Sequence, residues 1–567
     1  MLKKIIIFIL GLIISFIITF MCMIYLSPLF NASSIIFPFA IHPFDICTKY
    51  HILWTNIKKI YFIFSILSYF FVFNHILSHL LIKININFTR KSKNKSSLAQ
   101  NNLSLIIGTD CNEDIISIPE KSLYQNILIT GTIGSGKTSS AMYPFTRQLI
   151  SYNSKNPDEK LGMLILDVKG NYIKKVSEYC KKYNREKDLI IIDLHHNIKY
   201  NPLDKPNLKA TVLANRLKTI LELFSKNNSD SYWLDKVEEV IAESIKLCRL
   251  YNNYYVTFME IHKLITDNNY YKEKIKLVRK KFLSGNFSNS ENYDLLTSIK
   301  FFENEFNSLD SRTLNIIKSE LTRITNTFIS DYDVLNTFCP PQESLNFKGF
   351  HSVISEGKIV ILNMNISEYK NLSKIIAAYM KLDFQSEVLL QLANSSKIRP
   401  TCFISDEFHE YVTASDADFL SQSRESKCIN IIATQSYTSL LNTLNNPNSL
   451  KVITQNLINK IWLRNDDLNT IEDIQKQLGK EDKIKYTQSI SENAKETHFN
   501  YILNRFNSRN STISESINTQ IQNDFIFDTK FFTQELETFS CLAFLSDGNK
   551  ILPPKKLYLI PYFLTEN

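Results

Sequence analysis

Closely spaced cysteines are missing from this sequence. Nine cysteines are scattered over 567 residues, at positions 22, 47, 111, 180, 248, 339, 402, 428 and 541. Because no two of them have the C-x-x-C spacing, the sequence argues against a zinc module and against a disulfide framework. Scattered reduced thiols are typical of a cytoplasmic domain.

Most of the chain lacks a net positive charge. The formal net charge is +9, and residues 1–95 alone contain ten Lys or Arg and one acidic residue, Asp45. Residues 96–567 are therefore neutral overall. A basic protein often binds nucleic acid or membranes, but here the excess belongs to the N-terminal segment. Net charge is thus no evidence that the larger part binds DNA.

Two long uncharged runs in the N-terminal segment predict transmembrane helices, at Ile5–Leu26 and Ile60–Ile82. Each is long enough to cross a hydrocarbon layer of about 30 Å. Basic residues precede the first run and follow the second, so the positive-inside rule predicts that both termini are cytoplasmic. A cleaved signal peptide is the alternative for the first run. We disfavour it, because the run is long and no small-x-small site follows it.

Glycine is scarce as well, with 12 in the whole chain, yet three of them lie between positions 131 and 136. The stretch GTIGSGKT at 131–138 matches the Walker A pattern G-x-x-x-x-G-K-[ST]. The apolar run Ile127–Ile129 before it predicts a buried strand, and the apolar spacing after Thr138 predicts a helix. A glycine-rich turn before a structural helix is the alternative, which these flanks make much less favourable.

The Walker A match predicts a site for a nucleoside triphosphate and Mg²⁺, and we expect the nucleotide to be ATP. Backbone N–H groups and the positive end of the following helix attract phosphate oxygens. Lys137 would neutralise the β- and γ-phosphates, and the Thr138 hydroxyl would bind Mg²⁺. The expected nucleotide-binding residues are Gly131, Thr132, Gly134, Ser135, Gly136, Lys137, Thr138 and Ser139.

Short apolar runs that alternate with helical stretches predict an α/β fold with a parallel sheet. These runs are Ile127–Ile129, Met163–Leu166, Leu189–Ile192, Ile359–Leu362, Cys402–Ile404, Ile429–Ala433 and Lys460–Leu463. Between about Asp204 and Leu345 the pattern is helical, which predicts an all-α insertion. Residues 481–523 are rich in Ser, Asn, Thr and Gln and predict a loop or an exposed hairpin.

We therefore predict four segments: a membrane anchor at 1–95, a first nucleotide-binding part at 96–203, the all-α insertion at 204–345, and a second nucleotide-binding part at 346–567. Within the insertion, a basic helix at 272–281 has two interpretations. It could contact DNA phosphates, but a solvated helix face is the more common meaning of such a charge run.

The stretch TCFISDE at 401–407 predicts the acidic partner of the Walker A loop. Asp406 would hold Mg²⁺, and Glu407 would polarise the attacking water. Asp167 and Asp193 also end apolar runs, but neither is followed by Glu. We expect their carboxylates at neighbouring strand ends, outside the catalytic role. An ordinary strand end with a capping Asp is the alternative for Asp406.

Three further polar residues are candidates for the same site. Gln435 follows the apolar run INIIAT and could sense the γ-phosphate, coupling hydrolysis to motion. Arg424 could act as an arginine finger from a neighbouring subunit, and Arg464 is a second candidate. For each arginine, a surface salt bridge is at least as compatible with the sequence.

In their order along the chain, these motifs resemble the type IV coupling proteins of bacterial conjugation and secretion. The resemblance rests on the two apolar runs, GTIGSGKT, LILDVKGNY, IKYNPL, FISDEFHEY and ATQS. It implies a membrane-anchored RecA-like P-loop ATPase with an inserted all-α domain, in the bacterial inner membrane. It assigns nucleotide roles to Lys137, Thr138, Asp406, Glu407 and Gln435. The family usually has Glu after the Lys-Gly pair, where this chain has Asn171.

The resemblance also implies partners and a hexamer. Its partners would be DNA or a relaxase–DNA complex and the components of a type IV secretion channel, and it favours Arg424 over Arg464 as the finger. Two alternatives remain. One is a receptor for protein substrates whose assembly depends on nucleotide. The other is a DNA translocase of the FtsK or HerA type, although we see no winged-helix tail after the last strands.

Overall fold

The computed structural model describes residues 63, 66–67, 70–71, 103–167, 169–224, 231–285, 287–394, 398–492, 497–500, 505–508 and 513–565. The five described residues between 63 and 71 are helical; the first predicted transmembrane run and most of the second lie outside the described residues. Among the residues described, no helix combines the length and the apolar character that crossing a membrane requires. Residues 102–567 form one compact unit, and the five described residues before it belong to a separate unit.

The larger unit is built on one sheet of eleven strands. Counting all strands of the described residues in chain order, they are β1 (Ser104–Thr109), β2 (Ile115–Pro119), β3 (Ile127–Thr130), β4 (Gly162–Asp167), β5 (Leu189–Ile192), β6 (Ile359–Asn363), β7 (Thr401–Ser405), β8 (Cys428–Thr434), β9 (Asn459–Trp462), β10 (Lys480–Glu492), β11 (Thr497–Asn500), β12 (Arg505–Ser508), β13 (Ile513–Phe525), β14 (Ser540–Phe544) and β15 (Lys555–Leu559). The order in the large sheet is β2-β1-β15-β14-β9-β3-β8-β7-β4-β6-β5.

The seven strands from β9 to β5 are parallel, and they correspond to the seven apolar runs. The predicted α/β fold with a large parallel sheet is confirmed. The four strands β14, β15, β1 and β2 extend this sheet in antiparallel pairs, and the sequence did not predict them. Two of the four pairings that hold these strands, β1 with β15 and β9 with β14, join residues that are far apart in the sequence.

Both faces of the parallel sheet are buried, which explains why its strands are continuous apolar runs. Along β3, Ile127 and Ile129 face one core, whereas Leu128 faces the other. The Leu128 face continues into the helices between β5 and β6, so the insertion and this face share one hydrophobic core. The opposite face is covered by the helices that follow β3 and β4.

Helices surround the sheet. Those before the insertion are α1 (Glu120–Leu123), a π-helical turn at Lys137–Met142 that continues into α2 (Tyr143–Ser151), and α3 (Tyr172–Lys182). The described residues between β5 and β6 form no strand, and their helices are α4 (Ala210–Phe224), α5 (Ser231–Tyr251), α6 (Phe258–Thr266), α7 (Asn268–Leu283), α8 (Asn289–Lys300), α9 (Ser311–Ile329), α10 (Tyr332–Phe338) and α11 (Phe350–Glu356).

The remaining helices follow β6 or later strands. They are α12 (Ile366–Tyr369), α13 (Asn371–Asn394), α14 (Asp416–Gln422), α15 (Tyr437–Leu444), α16 (Pro447–Asn456), α17 (Leu468–Leu478) and α18 (Tyr562–Thr565). All described residues between 481 and 523 lie in strands. Their strands β10 and β13 pair as a long antiparallel ribbon, with the short β11–β12 pair between them in sequence.

The basic helix of the insertion is α7, and part of its charge is used within the chain. Arg279 pairs with Glu303 at 2.7 Å, and Lys274 lies over the rings of Tyr251 and Tyr270. Lys281 donates to the carbonyl of Tyr251. These contacts favour the structural interpretation of this helix over the DNA interpretation.

A buried ionic cluster connects the insertion to the sheet side of the molecule. Asp383 on α13 is fully buried and accepts bonds from Lys205 at 2.8 Å and from Arg216 on α4 at 2.9 Å. The Tyr200 hydroxyl adds a third bond at 3.1 Å. One carboxylate thus pairs with two cations. Burial alone would raise the pKa of Asp383, but the charges of Lys205 and Arg216 outweigh this effect and keep the pKa below its usual value.

Candidate nucleotide-binding site

The candidate site lies at the carboxyl edge of the parallel sheet. The Walker A loop follows β3, the Asp406-Glu407 pair follows β7, and Gln435 follows β8, which lies between these two strands. Because all three strands are parallel and neighbouring, their carboxyl ends meet at one edge. The sheet therefore brings together residues that are about 300 positions apart in the sequence.

Glycines allow the Walker A loop to take its shape. Gly134 and Gly136 have φ values of +79° and +97°, which favour residues without a Cβ. A Cβ on Gly131 would lie 2.7 Å from the Ser135 hydroxyl. The Thr132 N–H donates to the carbonyl of Arg464, after β9, at 2.8 Å. The loop is thus held from the adjacent strand end.

Lys137 begins the helix after the loop, and its side chain turns back over the loop. Its ammonium donates to the carbonyl of Gly131 and, at 3.2 Å, to that of Thr132. Burial lowers the pKa of Lys137, while Glu407 and Asp406 act in the opposite direction. The lysine is buried, with 7 % of its surface exposed, and lies where it can face phosphate oxygens.

Thr138 and Asp406 form an oxygen pair that fits a divalent cation. The Thr138 hydroxyl donates to the Asp406 carboxylate at 3.2 Å. Asp406 is 1 % exposed, and burial raises its pKa to about 6 although Lys169 acts against this shift. The buried Asp406 carboxylate is stabilised by a nearby positive charge. Together with the Thr138 hydroxyl it offers the hard oxygen ligands that Mg²⁺ prefers.

Glu407 is held from two sides. Its Oε1 pairs with the Lys169 ammonium, and its Oε2 accepts from the Gln435 amide at 3.3 Å. The ring of His409 lies 3.6 Å from the same Oε2. Burial raises the pKa of Glu407, but the hydrogen bond and charge of Lys169 outweigh it and lower the pKa overall. The backbone of Glu407 is left-handed, with φ +53°, a conformation that often marks functional sites.

The two rival aspartates are used for local structure. Asp167 accepts from the N–H groups of Lys169, Asn171 and Tyr172 at 2.9–3.0 Å, so its carboxylate shapes the loop into α3. Asp193 accepts from the N–H groups of the two following histidines and from the Asn363 amide. Their hydrogen bonds are consistent with their predicted exclusion from the catalytic role.

The two candidate arginines lie at opposite ends of the parallel strands. Arg424 is exposed in the turn before β8, at the amino ends of the strands, where the Thr401 N–H bonds the Lys427 carbonyl. Within one chain it is therefore remote from Lys137, and a finger role requires a second chain. Arg464 lies two residues after the end of β9, at the carboxyl ends of the strands, and its carbonyl contacts the Walker A loop.

Two residues that sequence reasoning did not assign to the site contact it. Lys169 pairs with Glu407, and its Asp-x-Lys-Gly motif was the available signal. Phe539 precedes β14, and its N–H donates to the Ser135 carbonyl at 3.3 Å. Its ring lies against Gly136, because a Cβ on that glycine would be 2.6 Å from the Phe539 Cδ1. No sequence motif marks Phe539.

This contact gives a testable stability difference between two loop glycines. Gly134→Ala adds only left-handed strain, since no atom lies within 4 Å of the new Cβ, and should cost about 1 kcal/mol. Gly136→Ala adds the clash with Phe539 and should cost about 1 kcal/mol more. Denaturant unfolding of the two variants measures the difference. Equal losses would show that Phe539 does not restrict the loop.

Comparison with known proteins supports the sequence resemblance. A family model described as the type IV secretion-system coupling protein DNA-binding domain matches residues 315–524. A search of curated proteins finds no match. The resemblance to the type IV coupling proteins is confirmed.

Solved structures show the same fold. They include the bacterial conjugative coupling protein TrwBdeltaN70 in its unbound monoclinic form, with 13% identity, covering 80% of this chain and 88% of its own. The plasmid coupling protein TrwB with ADP and Mg²⁺ is 13% identical and covers 81% and 94%. TrwB with the GTP analogue GDPNP is 14% identical and covers 81% and 95%. Each has a TM-score of 0.52.

Proposed function

We propose that this chain hydrolyses ATP with Mg²⁺ and uses the energy to transfer a DNA or nucleoprotein substrate into a type IV secretion channel. One observation carries the proposal. The Thr138 hydroxyl lies 3.2 Å from Asp406, and Glu407 and Gln435 follow the two strand ends beside it. The confirmed resemblance to the coupling proteins supports the transport role.

Each residue of the site has a separate task in this proposal. Lys137 neutralises phosphate charge, and Thr138 and Asp406 hold Mg²⁺, which stabilises the charge of the transferring phosphoryl group. Glu407 orients and polarises the attacking water. Gln435, bonded to Glu407, links this carboxylate to β8. Movement at Glu407 can therefore reach the sheet through Gln435.

Bound nucleotides in relatives of this fold support the choice of cofactor. The TrwB structures contain ADP with Mg²⁺, a non-hydrolysable GTP analogue or a non-hydrolysable ATP analogue. In this chain, the Walker A loop and the Thr138–Asp406 pair supply the groups that such ligands require. We propose ATP and Mg²⁺ for this site on that basis.

We further propose that the protein is anchored in the bacterial inner membrane by Ile5–Leu26 and Ile60–Ile82, with both termini cytoplasmic. Length, lack of charge and flanking lysines support the two spans. We also propose a homo-oligomer, a hexamer in the coupling-protein pattern, in which Arg424 acts on a neighbouring subunit's nucleotide. Its exposure and its distance from its own chain's loop support an action between subunits.

ATP turnover by the full-length chain, with and without added DNA, tests the proposal. We expect DNA to stimulate phosphate release, and Lys137→Ala to lower it at least about tenfold because the phosphates lose a buried cation. Lys174→Met, an exposed lysine on α3, is the matched control and should retain turnover. Absence of turnover in the wild type, or full turnover in Lys137→Ala, would contradict the proposal.

A further inference from the structure

The loop between β4 and α3 presents a second lysine to the candidate site. Asp167 fixes the backbone of this loop by accepting from the N–H groups of Lys169, Asn171 and Tyr172. Gly170 allows the turn with a φ of +75°. The Lys169 backbone is therefore anchored, while its side chain is 47% exposed on a flexible four-carbon stem.

The ammonium of Lys169 contacts the acidic pair. It pairs with Glu407 Oε1 and lies 4.0 Å from Asp406 Oδ2. The carboxylates of Glu407 and Asp406 are 6% and 1% exposed, so this lysine supplies positive charge to two buried anions. A buried carboxylate needs such a partner, because burial without one is costly.

Lys137 differs from Lys169 in its surroundings. Lys137 is buried, and its ammonium donates to the carbonyls of its own loop. Lys169 is half-exposed, and its ammonium pairs with the Glu407 side chain. A side chain of the second kind can exchange partners without disturbing the fold. The Gln435 amide remains on Glu407 Oε2 if Lys169 leaves, so the carboxylate keeps one hydrogen bond.

We propose that Lys169 is a positioning residue that exchanges Glu407 for the terminal phosphate of a nucleoside triphosphate. While Lys169 holds Glu407 Oε1, this oxygen is directed at the ammonium. When Lys169 moves to a terminal phosphate, Glu407 is free to orient water. A nucleoside diphosphate lacks this group and leaves the pair intact. The inference rests on the proposed nucleotide site and describes its regulation.

Binding of two nucleotides to the full-length chain tests the exchange. With Mg²⁺ present, we expect Lys169→Met to weaken binding of AMP-PNP at least about fivefold and to leave ADP affinity unchanged. Lys169→Arg should restore part of the discrimination, because it keeps the charge. Lys174→Met on α3 should change neither affinity. A merely structural lysine would weaken both nucleotides together.

A double-mutant cycle with Glu407→Gln isolates the exchange. Removing the competing charge should strengthen AMP-PNP binding in the chain with Lys169, and should have no such effect in Lys169→Met. Additive effects, or equal changes for ADP and AMP-PNP, would overturn the exchange and leave the proposed function standing. If Lys137→Ala neither weakens nucleotide binding nor lowers turnover, both fail together.

Discussion

Glu407→Gln is expected to lower ATP turnover by about 10²–10³-fold while nucleotide binding is retained. The substitution keeps the size of the side chain and leaves an oxygen that can accept from Gln435. It removes the negative charge that polarises water. Thr138, Asp406 and Lys137 are unchanged, so the groups expected to bind Mg²⁺ and phosphate remain. Phosphate release measures turnover, and titration with AMP-PNP measures binding.

A second glutamate in the same segment provides the control. Glu410 lies three residues further on, pairs with Lys374 at 2.6 Å and is partly exposed. Glu410→Gln should leave turnover within about a factor of two, since a surface ion pair contributes at most about 1 kcal/mol to stability. Turnover in Glu407→Gln close to that of Glu410→Gln would show that another group orients the water.

Asp383→Ala is expected to lower the free energy of unfolding by about 3–5 kcal/mol. The alanine leaves Lys205 and Arg216 with no carboxylate between them, although both remain largely buried. The Tyr200 hydroxyl also loses its acceptor. Denaturant unfolding followed by tryptophan fluorescence measures the loss, since Trp233 lies in the insertion and Trp462 in the sheet.

The loss of stability in Asp383→Ala should come mainly from Lys205 and Arg216, which remain buried without a carboxylate partner. Asp473→Ala removes an exposed aspartate on α17 and should change stability by about 0.5 kcal/mol or less. Arg216→Met combined with Asp383→Ala should recover part of the stability, because one unpaired charge disappears. A double variant with the summed loss of both single variants would contradict this account.

The seven parallel strands were predictable because burial on both faces leaves a continuous apolar run for each. The antiparallel strands were not. β2 has only one buried residue, Ile118, and β15 has only two, Leu557 and Leu559. Such short patterns also occur in loops. β1 and β2 join the sheet only through β15, which is distant in the sequence, as Gly108 pairs with Leu559.

The candidate site was predictable where a motif carries its own chemistry. GTIGSGKT and the Asp406-Glu407 pair identify phosphate and metal groups from residue type and spacing alone. Lys169 required the structure, because its contact with Glu407 joins residues 238 positions apart. Phe539 required it as well, since a backbone N–H and the edge of a ring leave no pattern in a sequence.

The hydrophobic core shared by the insertion and one sheet face affects how this protein can be divided or exchanged. Cutting out residues 204–345 would uncover the side of the sheet that carries Leu128, and it would remove Arg216 from Asp383. The helices of the insertion thus cover one face of the sheet and are part of the nucleotide-binding unit's hydrophobic core. An insertion transplanted from a relative would therefore have to match the side chains that pack against the sheet. The side of the insertion that faces away from the sheet does not carry this constraint.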